Sequence, residues 1–245
     1  EDAARLRDRF PKHFTPLVFD VLDAEGITRA AGIVANALGN RTLDGLINNA
    51  GIAVAGPLLH LTPEQFRYQF EVNVFSVLAI TQAFAPLLGA DRNRQGRPGR
   101  IINISSIAGK NSSPFVGAYA ASKHALEGMS GSLRRELMLH GIDVVIVGPG
   151  AIKTPIWDKP DLTAFANTPY GPSVKLGYDF MMDLAANGFP PERCANLLIQ
   201  ILLTARPKAR YALVPNPLTG WWLPRLLPAR WLDRIVAKKL GLNRH

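Results

Sequence analysis

The sequence predicts an α/β fold built on a doubly wound parallel sheet, and two observations support this prediction. Short apolar runs, many of them β-branched, alternate along the chain with longer segments of helical composition; the runs cover residues 17–21, 45–51, 101–104 and 142–147. Each run is mainly apolar instead of alternating regularly with polar residues, which is typical of strands buried on both faces. We therefore expect helices on both sides of the sheet, with ligands bound at the carboxyl ends of the strands.

The composition indicates a single domain over residues 1–245. A chain of 245 residues with 47% hydrophobic and 19% charged residues can bury a sizeable core. The single cysteine, Cys194, excludes an internal disulfide and a multi-cysteine metal site, and we assign it to packing. No apolar run reaches about 18 residues, so we expect no transmembrane helix. The expected location is the cytoplasm, where the protein could associate with a membrane, and we expect no metal site.

Positive charge is concentrated at the C-terminus. The net charge is +9, and residues 205–245 hold nine Lys or Arg against the single acidic residue Asp233. This distribution argues against a nucleic-acid-binding body. Within residues 215–245, Trp and Leu lie among Arg and Lys in segments broken by prolines. This basic amphipathic extension could contact a membrane surface, a second subunit or the mouth of the active site.

The first half of the chain contains the sequence signals of three helices. Residues 1–10 form a charged helical segment, and residues 24–38 form a helix that ends at Gly39. Thr62, Pro63 and Gln65 form a capping box that opens a helix reaching residue 88. Asn73 lies in the middle of this helix, where its low propensity indicates a buried hydrogen-bonded amide more often than a catalytic group.

The stretch from residue 100 to 123 contains the most reactive pattern. A strand ends at Ser106, and a helical segment that follows contains Tyr119 and Lys123 four positions apart, on one helical face. A nearby ammonium favours the phenolate form of a tyrosine, so the pair could exchange a proton near neutral pH. By itself, Tyr-x-x-x-Lys is usually an ordinary exposed pair.

Taken together, the motifs resemble the short-chain dehydrogenase/reductase family, whose domain is Rossmann-like. The motifs are Asp20-Val21, Asn48-Asn49-Ala50-Gly51, Asn73, Ser106, Tyr119-x-x-x-Lys123 and Pro149-Gly150-x-Ile152-x-Thr154. The resemblance implies an oxidoreductase that moves hydride between NAD or NADP and a secondary alcohol or carbonyl. The alternative is a non-catalytic scaffold of the same fold.

The resemblance also implies a role for each motif. Tyr119 would be the general acid or base, Ser106 would orient the substrate oxygen, and Asn73 would anchor a water in the proton relay. Lys123 would lower the pKa of Tyr119 and bind the nicotinamide ribose. The remaining cofactor contacts would come from Asp20, Val21, Asn49, Ala50, Gly51, Pro149, Gly150, Ile152 and Thr154.

Two strands of the family fold have no counterpart in these 245 residues. The glycine-rich turn that follows the family's first strand is absent, as is the end of its second strand, which selects NAD or NADP. We expect about 40 further residues upstream, the size of one βαβ unit with a lead-in. The mass of the natural protein tests this expectation.

Residues 155–191 are the expected substrate-covering segment. Aromatic and methionine side chains alternate there with Pro and Gly, which suits a lipophilic alcohol or ketone, although the same residues could simply complete the core. Small residues along the Tyr119 helix would allow close approach of another subunit, so we expect a homodimer or homotetramer. These residues are Ala120, Ala121, Ala125, Gly128 and Gly131.

Overall fold

A computed structural model of the chain describes residues 2–157 and 162–242, apart from the side chains of Asp2 and Trp157. Its sheet has four strands, all parallel, in the order β1-β2-β3-β4. The strands are β1 Gly45–Asn48, β2 Arg100–Ile104, β3 Asp143–Pro149 and β4 Arg210–Leu213. The parallel sheet predicted from the apolar runs is therefore confirmed.

Helices cover both faces of the sheet. Ile101 and Val144 pack towards the end of the central helix α5, whereas Ile102 and Val145 pack against Ile201 of helix α7 on the opposite face. The α-helices are α1 Asp2–Arg9, α2 Ala24–Leu38, α3 Pro63–Phe70, α4 Ser76–Phe84, α5 Gly117–Glu136, α6 Gly171–Ala186, α7 Pro191–Leu203, α8 Leu223–Leu226 and α9 Ala229–Leu240.

The strand predicted at residues 17–21 is wrong: this segment is irregular. Leu17 and Phe19 still pack towards α2, and Val18 is 92% exposed, so the alternation of a strand persists without its hydrogen bonds. The reason is topological. Strand β1 is the outermost strand of the described sheet on this side, and the segment has no adjacent strand with which to pair.

The predicted capping box opens α3. The Gln65 amide nitrogen donates to Thr62 Oγ1 at 3.2 Å, and the Thr62 amide donates to Gln65 Oε1 at 2.9 Å. The helix is less regular than predicted. A π-helical turn at Glu71–Phe75 separates α3 from α4, and a second one at Pro86–Ala90 contains a kink at Gly89, whose φ is 118°. Such insertions are frequent at functional sites, and the first contains Asn73.

The C-terminal extension is broken at its prolines, as predicted. A π-helical turn at Leu218–Trp222 leads into α8, and α9 follows after Pro228. The expected substrate-covering segment forms two short 3₁₀ turns, Pro155–Trp157 and Thr163–Phe165, and then α6. Residues 158–161 of that segment lie outside the described residues. Among the described helices, none has the length and apolarity needed to cross a membrane.

Candidate active site

Three polar or glycine-rich segments meet at the carboxyl edge of the sheet. They follow β1, β2 and β3, and α5 starts beside them. Together they line a cavity of about 860 Å³. The predicted site residues in its wall are Asn49, Ala50, Gly51, Ser106, Tyr119, Lys123, Pro149, Gly150, Ile152 and Thr154.

The three residues of the central motif are buried next to one another. Ser106, Tyr119 and Lys123 are 9%, 7% and 5% exposed, which excludes the interpretation of Tyr119 and Lys123 as an ordinary exposed pair. The Ser106 side chain hydrogen-bonds the Tyr119 phenol. Lys123 Nζ donates to the carbonyl of Ile104 at 2.8 Å and lies 5.7 Å from the centre of the Tyr119 ring.

Burial dominates the protonation of this cluster. It raises the pKa of Tyr119 above the ordinary value, and the hydrogen bond with Ser106 only partly opposes it. Burial also lowers the pKa of Lys123 from 10.5 to about 8. In the chain alone, burial is the main influence on the pKa of Tyr119, and the Lys123 ammonium contacts a backbone carbonyl. The expectation that Lys123 lowers the pKa of Tyr119 stays a prediction.

Asn73 is a fully engaged buried amide, the more frequent of the two interpretations. Its Oδ1 accepts from the Ile52 amide at 2.9 Å, and its Nδ2 donates to the Ile52 carbonyl at 3.0 Å and to Ser122 Oγ at 3.1 Å. It is 1% exposed. Asn73 therefore ties the segment after β1 to helix α5.

Gln69 makes a parallel set of contacts that the sequence analysis missed. Its Nε2 donates to the Ile52 carbonyl at 2.9 Å, and its Oε1 accepts from the Val54 amide at 2.7 Å. Gln69 and Asn73 are four positions apart across the π-helical turn. Two side-chain amides four positions apart, next to a buried helical face, are the sequence signal from which the role of Gln69 could have been predicted.

Asp20 and Val21 are not among the residues that line the cavity. They lie in the irregular segment before α2, where Asp20 Oδ1 accepts from the Leu22 amide at 2.9 Å. Their contact with the cofactor adenine stays a prediction.

A second, smaller cavity lies on the other side of Ser106 and Tyr119. Its volume is about 240 Å³, and its apolar wall comes mainly from α6 and the segment around Phe115. Ser106, Tyr119 and Gly150 line both cavities. Of the substrate-covering residues, Tyr178, Phe180 and Met181 line the small cavity, Ile156 lines the large one, and Phe165 is buried. The segment thus contributes to both cavities and to the core.

The residues present fit a nicotinamide dinucleotide in the larger cavity. A Cβ atom at Gly51 would lie 3.3 Å from Asn73 Oδ1 and 3.7 Å from Lys123 Nζ, so glycine keeps this part of the wall open. Lys123 supplies a cation and Tyr119 a hydroxyl beside it, which suits ribose hydroxyls. The residues that would hold the nicotinamide end are therefore on one wall.

The buried Lys123 gives a testable pH dependence of stability. Below about pH 8 the folded chain carries a desolvated ammonium, which destabilises it; between pH 8 and 10.5 the folded chain loses this proton while the unfolded chain keeps it. We expect the free energy of unfolding of wild type, relative to Lys123→Met, to rise by up to about 3 kcal/mol between neutral pH and pH 10.5.

Urea denaturation at a series of pH values measures this difference. The exposed Lys208 provides a control, Lys208→Met, for the loss of one positive charge. Parallel curves for wild type and Lys123→Met would contradict a depressed pKa of Lys123.

Comparison with known proteins gives a consistent result. Residues 1–163 match the family model described as short chain dehydrogenase. The chain is 37% identical over 242 residues to an NADPH-dependent 3-dehydrocapnine reductase from Ornithobacterium rhinotracheale, covering 98% of this chain and 85% of that protein. It is 32% identical over 242 residues to retinol dehydrogenase 5 from Mus musculus, covering 89% and 71%.

Solved structures agree with the sequence relatives. A short-chain dehydrogenase from Streptomyces avermitilis superposes with a TM-score of 0.72 at 28% identity, covering 96% of this chain and 80% of that one. The recognition of the motifs and the Rossmann-like fold are thereby confirmed. The chain belongs to the short-chain dehydrogenase family of NAD(P)-dependent oxidoreductases.

Proposed function

We propose that the protein reduces a lipophilic ketone to a secondary alcohol, with Tyr119 as general acid. The observation that carries this proposal is the position of Ser106 and Tyr119 in the wall shared by the two cavities. A dinucleotide in the larger cavity and a carbonyl compound in the smaller one would meet at these two hydroxyls. Such a geometry holds the reacting groups together and excludes water.

The protonation of Tyr119 supports the direction of reaction. When bound, the nicotinamide supplies the hydride that adds to the carbonyl carbon. The carbonyl oxygen then gains a proton, which Tyr119 donates. The phenol of an ordinary tyrosine is already protonated at neutral pH, and burial raises the pKa of Tyr119 further, so the protonated form is the one available to the substrate. Alcohol oxidation would instead require the phenolate and is expected to be favoured at alkaline pH.

The neighbouring residues have supporting roles in this proposal. Ser106 donates a hydrogen bond to the carbonyl oxygen and holds it near the phenol. Lys123 is buried in the wall of the larger cavity, and its pKa of about 8 lets it exchange a proton near neutral pH. In this proposal it contacts the nicotinamide ribose and can reprotonate the site. Asn73 keeps Ile52 in place through two hydrogen bonds and is itself joined to Ser122 of α5 by a third. Its role as the anchor of a relay water stays a prediction.

The lining of the small cavity favours an apolar substrate. Its lining includes Phe115, Val174, Met181 and Leu184, and α9 adds Val236 and Leu240. The names of the two relatives reported above give 3-dehydrocapnine and retinol as their substrates, and the name of the first gives NADPH as its cofactor. We therefore propose NADPH as the preferred cofactor and an aliphatic or similarly apolar ketone as the substrate class.

Replacing the proposed acid tests the reaction directly. Tyr119→Phe removes the proton donor but keeps the ring, so NADPH-dependent reduction of a series of aliphatic methyl ketones should fall roughly 100- to 10,000-fold in kcat. Initial rates are followed by NADPH absorbance, and NADPH binding by its fluorescence. Binding should be largely retained.

Tyr68→Phe is the matched control, because this tyrosine is 52% exposed and lines neither cavity. Its rate should equal that of wild type. If Tyr119→Phe reduced ketones as fast as wild type, the assignment of the acid would be wrong. If folded wild type bound neither NADPH nor NADH, the alternative of a non-catalytic scaffold without a functional dinucleotide site would replace the enzyme.

We also propose that the extension rests on an anionic membrane surface. On α9, Trp231 and Ile235 are four positions apart and are 60% and 55% exposed, with Arg234 and Lys238 beside them. Leu226 of α8 is 75% exposed. Exposed aromatic and aliphatic residues among cations suit an anionic lipid interface more than solvent.

Vesicle flotation tests this contact. The full-length protein should float with phosphatidylglycerol vesicles at low salt, less at high salt, and not with phosphatidylcholine vesicles. Replacing both Trp231 and Ile235 with Ser should reduce flotation strongly. Leu139→Ser, which removes an equally exposed apolar residue away from the extension, is the control. Equal flotation of all three proteins would exclude this surface.

A homodimer or homotetramer remains the expected assembly. Gly128 and Gly131 leave an open strip on the outer side of α5, where an added Cβ at Gly128 would meet nothing within 4 Å. The exposed Phe75 lies on the helix preceding it in the chain. Light scattering measures the assembly, and a monomer at micromolar concentration would exclude it.

A further inference from the structure

A buried carboxylate lies behind Tyr119 and Lys123 and lines neither cavity. Glu127 follows Lys123 by one helical turn on α5, and its side chain is 2% exposed. Burying a carboxylate is costly unless charged and hydrogen-bonding partners surround it. The partners of Glu127 therefore indicate what its position achieves.

Arg210, at the start of β4, is the main partner. Its Nε lies 3.0 Å from both carboxylate oxygens of Glu127, and its Nη2 donates to Oε1 at 2.8 Å. The guanidinium passes over Gly148 of β3, where a Cβ would lie 2.3 Å from Nη2. Glycine at this position is what allows the ion pair to form across the strand.

The pair holds both residues of the turn that follows β2. Ser105 Oγ donates to Glu127 Oε1 at 2.9 Å, and Arg210 Nη2 donates to the carbonyl of Ser106 at 3.2 Å. Gly109 makes room for these groups, since a Cβ there would lie 2.6 Å from Ser105 Oγ. The backbone that presents the Ser106 hydroxyl is thus fixed from behind by two charged side chains.

The C-terminal extension covers this pair. The Arg210 guanidinium lies 4.0 Å from the centre of the Trp221 ring, and Arg225 lies 4.5 Å from the same ring. Trp221 is 7% exposed. The indole shields the ion pair from solvent, which strengthens its electrostatic attraction.

We propose that the Glu127–Arg210 ion pair is a positioning unit that holds the Ser106 hydroxyl against Tyr119. A buried ion pair is weak evidence for stability, because well-packed apolar residues often replace one at no cost. Its two additional hydrogen bonds, however, both go to the turn that carries Ser106. The functional consequence of this inference rests on the proposed reaction; the positioning of Ser106 can be measured without it.

The pKa of Tyr119 is the readout that a purely structural role would leave unchanged. The hydrogen bond with Ser106 lowers this pKa, so loosening the turn should raise it. Glu127→Gln keeps the size of the side chain and removes its charge. We expect it to raise the titration midpoint of Tyr119, as Ser106→Ala does, in NMR of full-length protein labelled at tyrosine Cζ, with Tyr119→Phe assigning the signal.

The double variant separates positioning from general destabilisation. Because Glu127 acts through Ser106, adding Glu127→Gln to Ser106→Ala should raise the midpoint no further. In the reductase assay, Glu127→Gln should lower kcat roughly 10- to 100-fold, the scale of a misplacement of about 1 Å, with NADPH affinity retained. Ser105→Ala leaves the ion pair intact and should raise the titration midpoint of Tyr119 by a smaller amount. This variant replaces Glu127→Gln in the measurement if Glu127→Gln does not fold.

Lys110→Gln is the matched control. Lys110 Nζ lies 3.2 Å from Glu127 Oε2, but Lys110 has no hydrogen bond to Ser105 or Ser106 among the described contacts. The titration midpoint of Tyr119 in Lys110→Gln should therefore equal that of wild type. An unchanged midpoint in folded Glu127→Gln, or in Ser105→Ala if that variant must be used, would overturn the inference. A shifted midpoint in a protein whose wild type reduces no ketone would uphold the positioning and reject the proposed function.

Discussion

The hydrogen bond from Lys123 Nζ to the carbonyl of Ile104 joins the two elements on which the site depends. It attaches the first turns of α5 to the end of β2 and so sets Tyr119 beside Ser106. Because this contact is inside the protein, both titratable groups are desolvated, and their pKa values move in opposite directions: up for the phenol and down for the ammonium. The chemistry of the pair follows from where the helix is held.

Polar contacts beneath the cavity hold the other walls by the same principle. Gln69 and Asn73 fix the segment after β1, and Glu127 with Arg210 fixes the turn after β2. Each set bonds to backbone groups of an irregular segment, which lacks ladder hydrogen bonds of its own. A π-helical turn and buried charges, costly in isolation, thereby give irregular loops a defined geometry.

The parts of the fold and site that depend on local spacing could be predicted from the sequence. Tyr119 and Lys123 had to share a helical face, and Ser106 had to end a strand at the same edge. The strand at residues 17–21 failed because a strand also needs a neighbour, which no local pattern reports. The burial that raises the pKa of Tyr119 could not be predicted either, because burial depends on the whole fold. Glu127 and Arg210, 83 positions apart, had no sequence signal.

The proposed chemistry depends on the binding of a nicotinamide dinucleotide beside Tyr119 at the carboxyl edge of the sheet. Titration of the full-length protein with NADPH and, in parallel, NADH, followed by the rise in cofactor fluorescence, measures this binding. We expect saturable binding at one site per chain, tighter for NADPH. Absence of binding for both cofactors, by protein whose circular dichroism shows it to be folded, would contradict it.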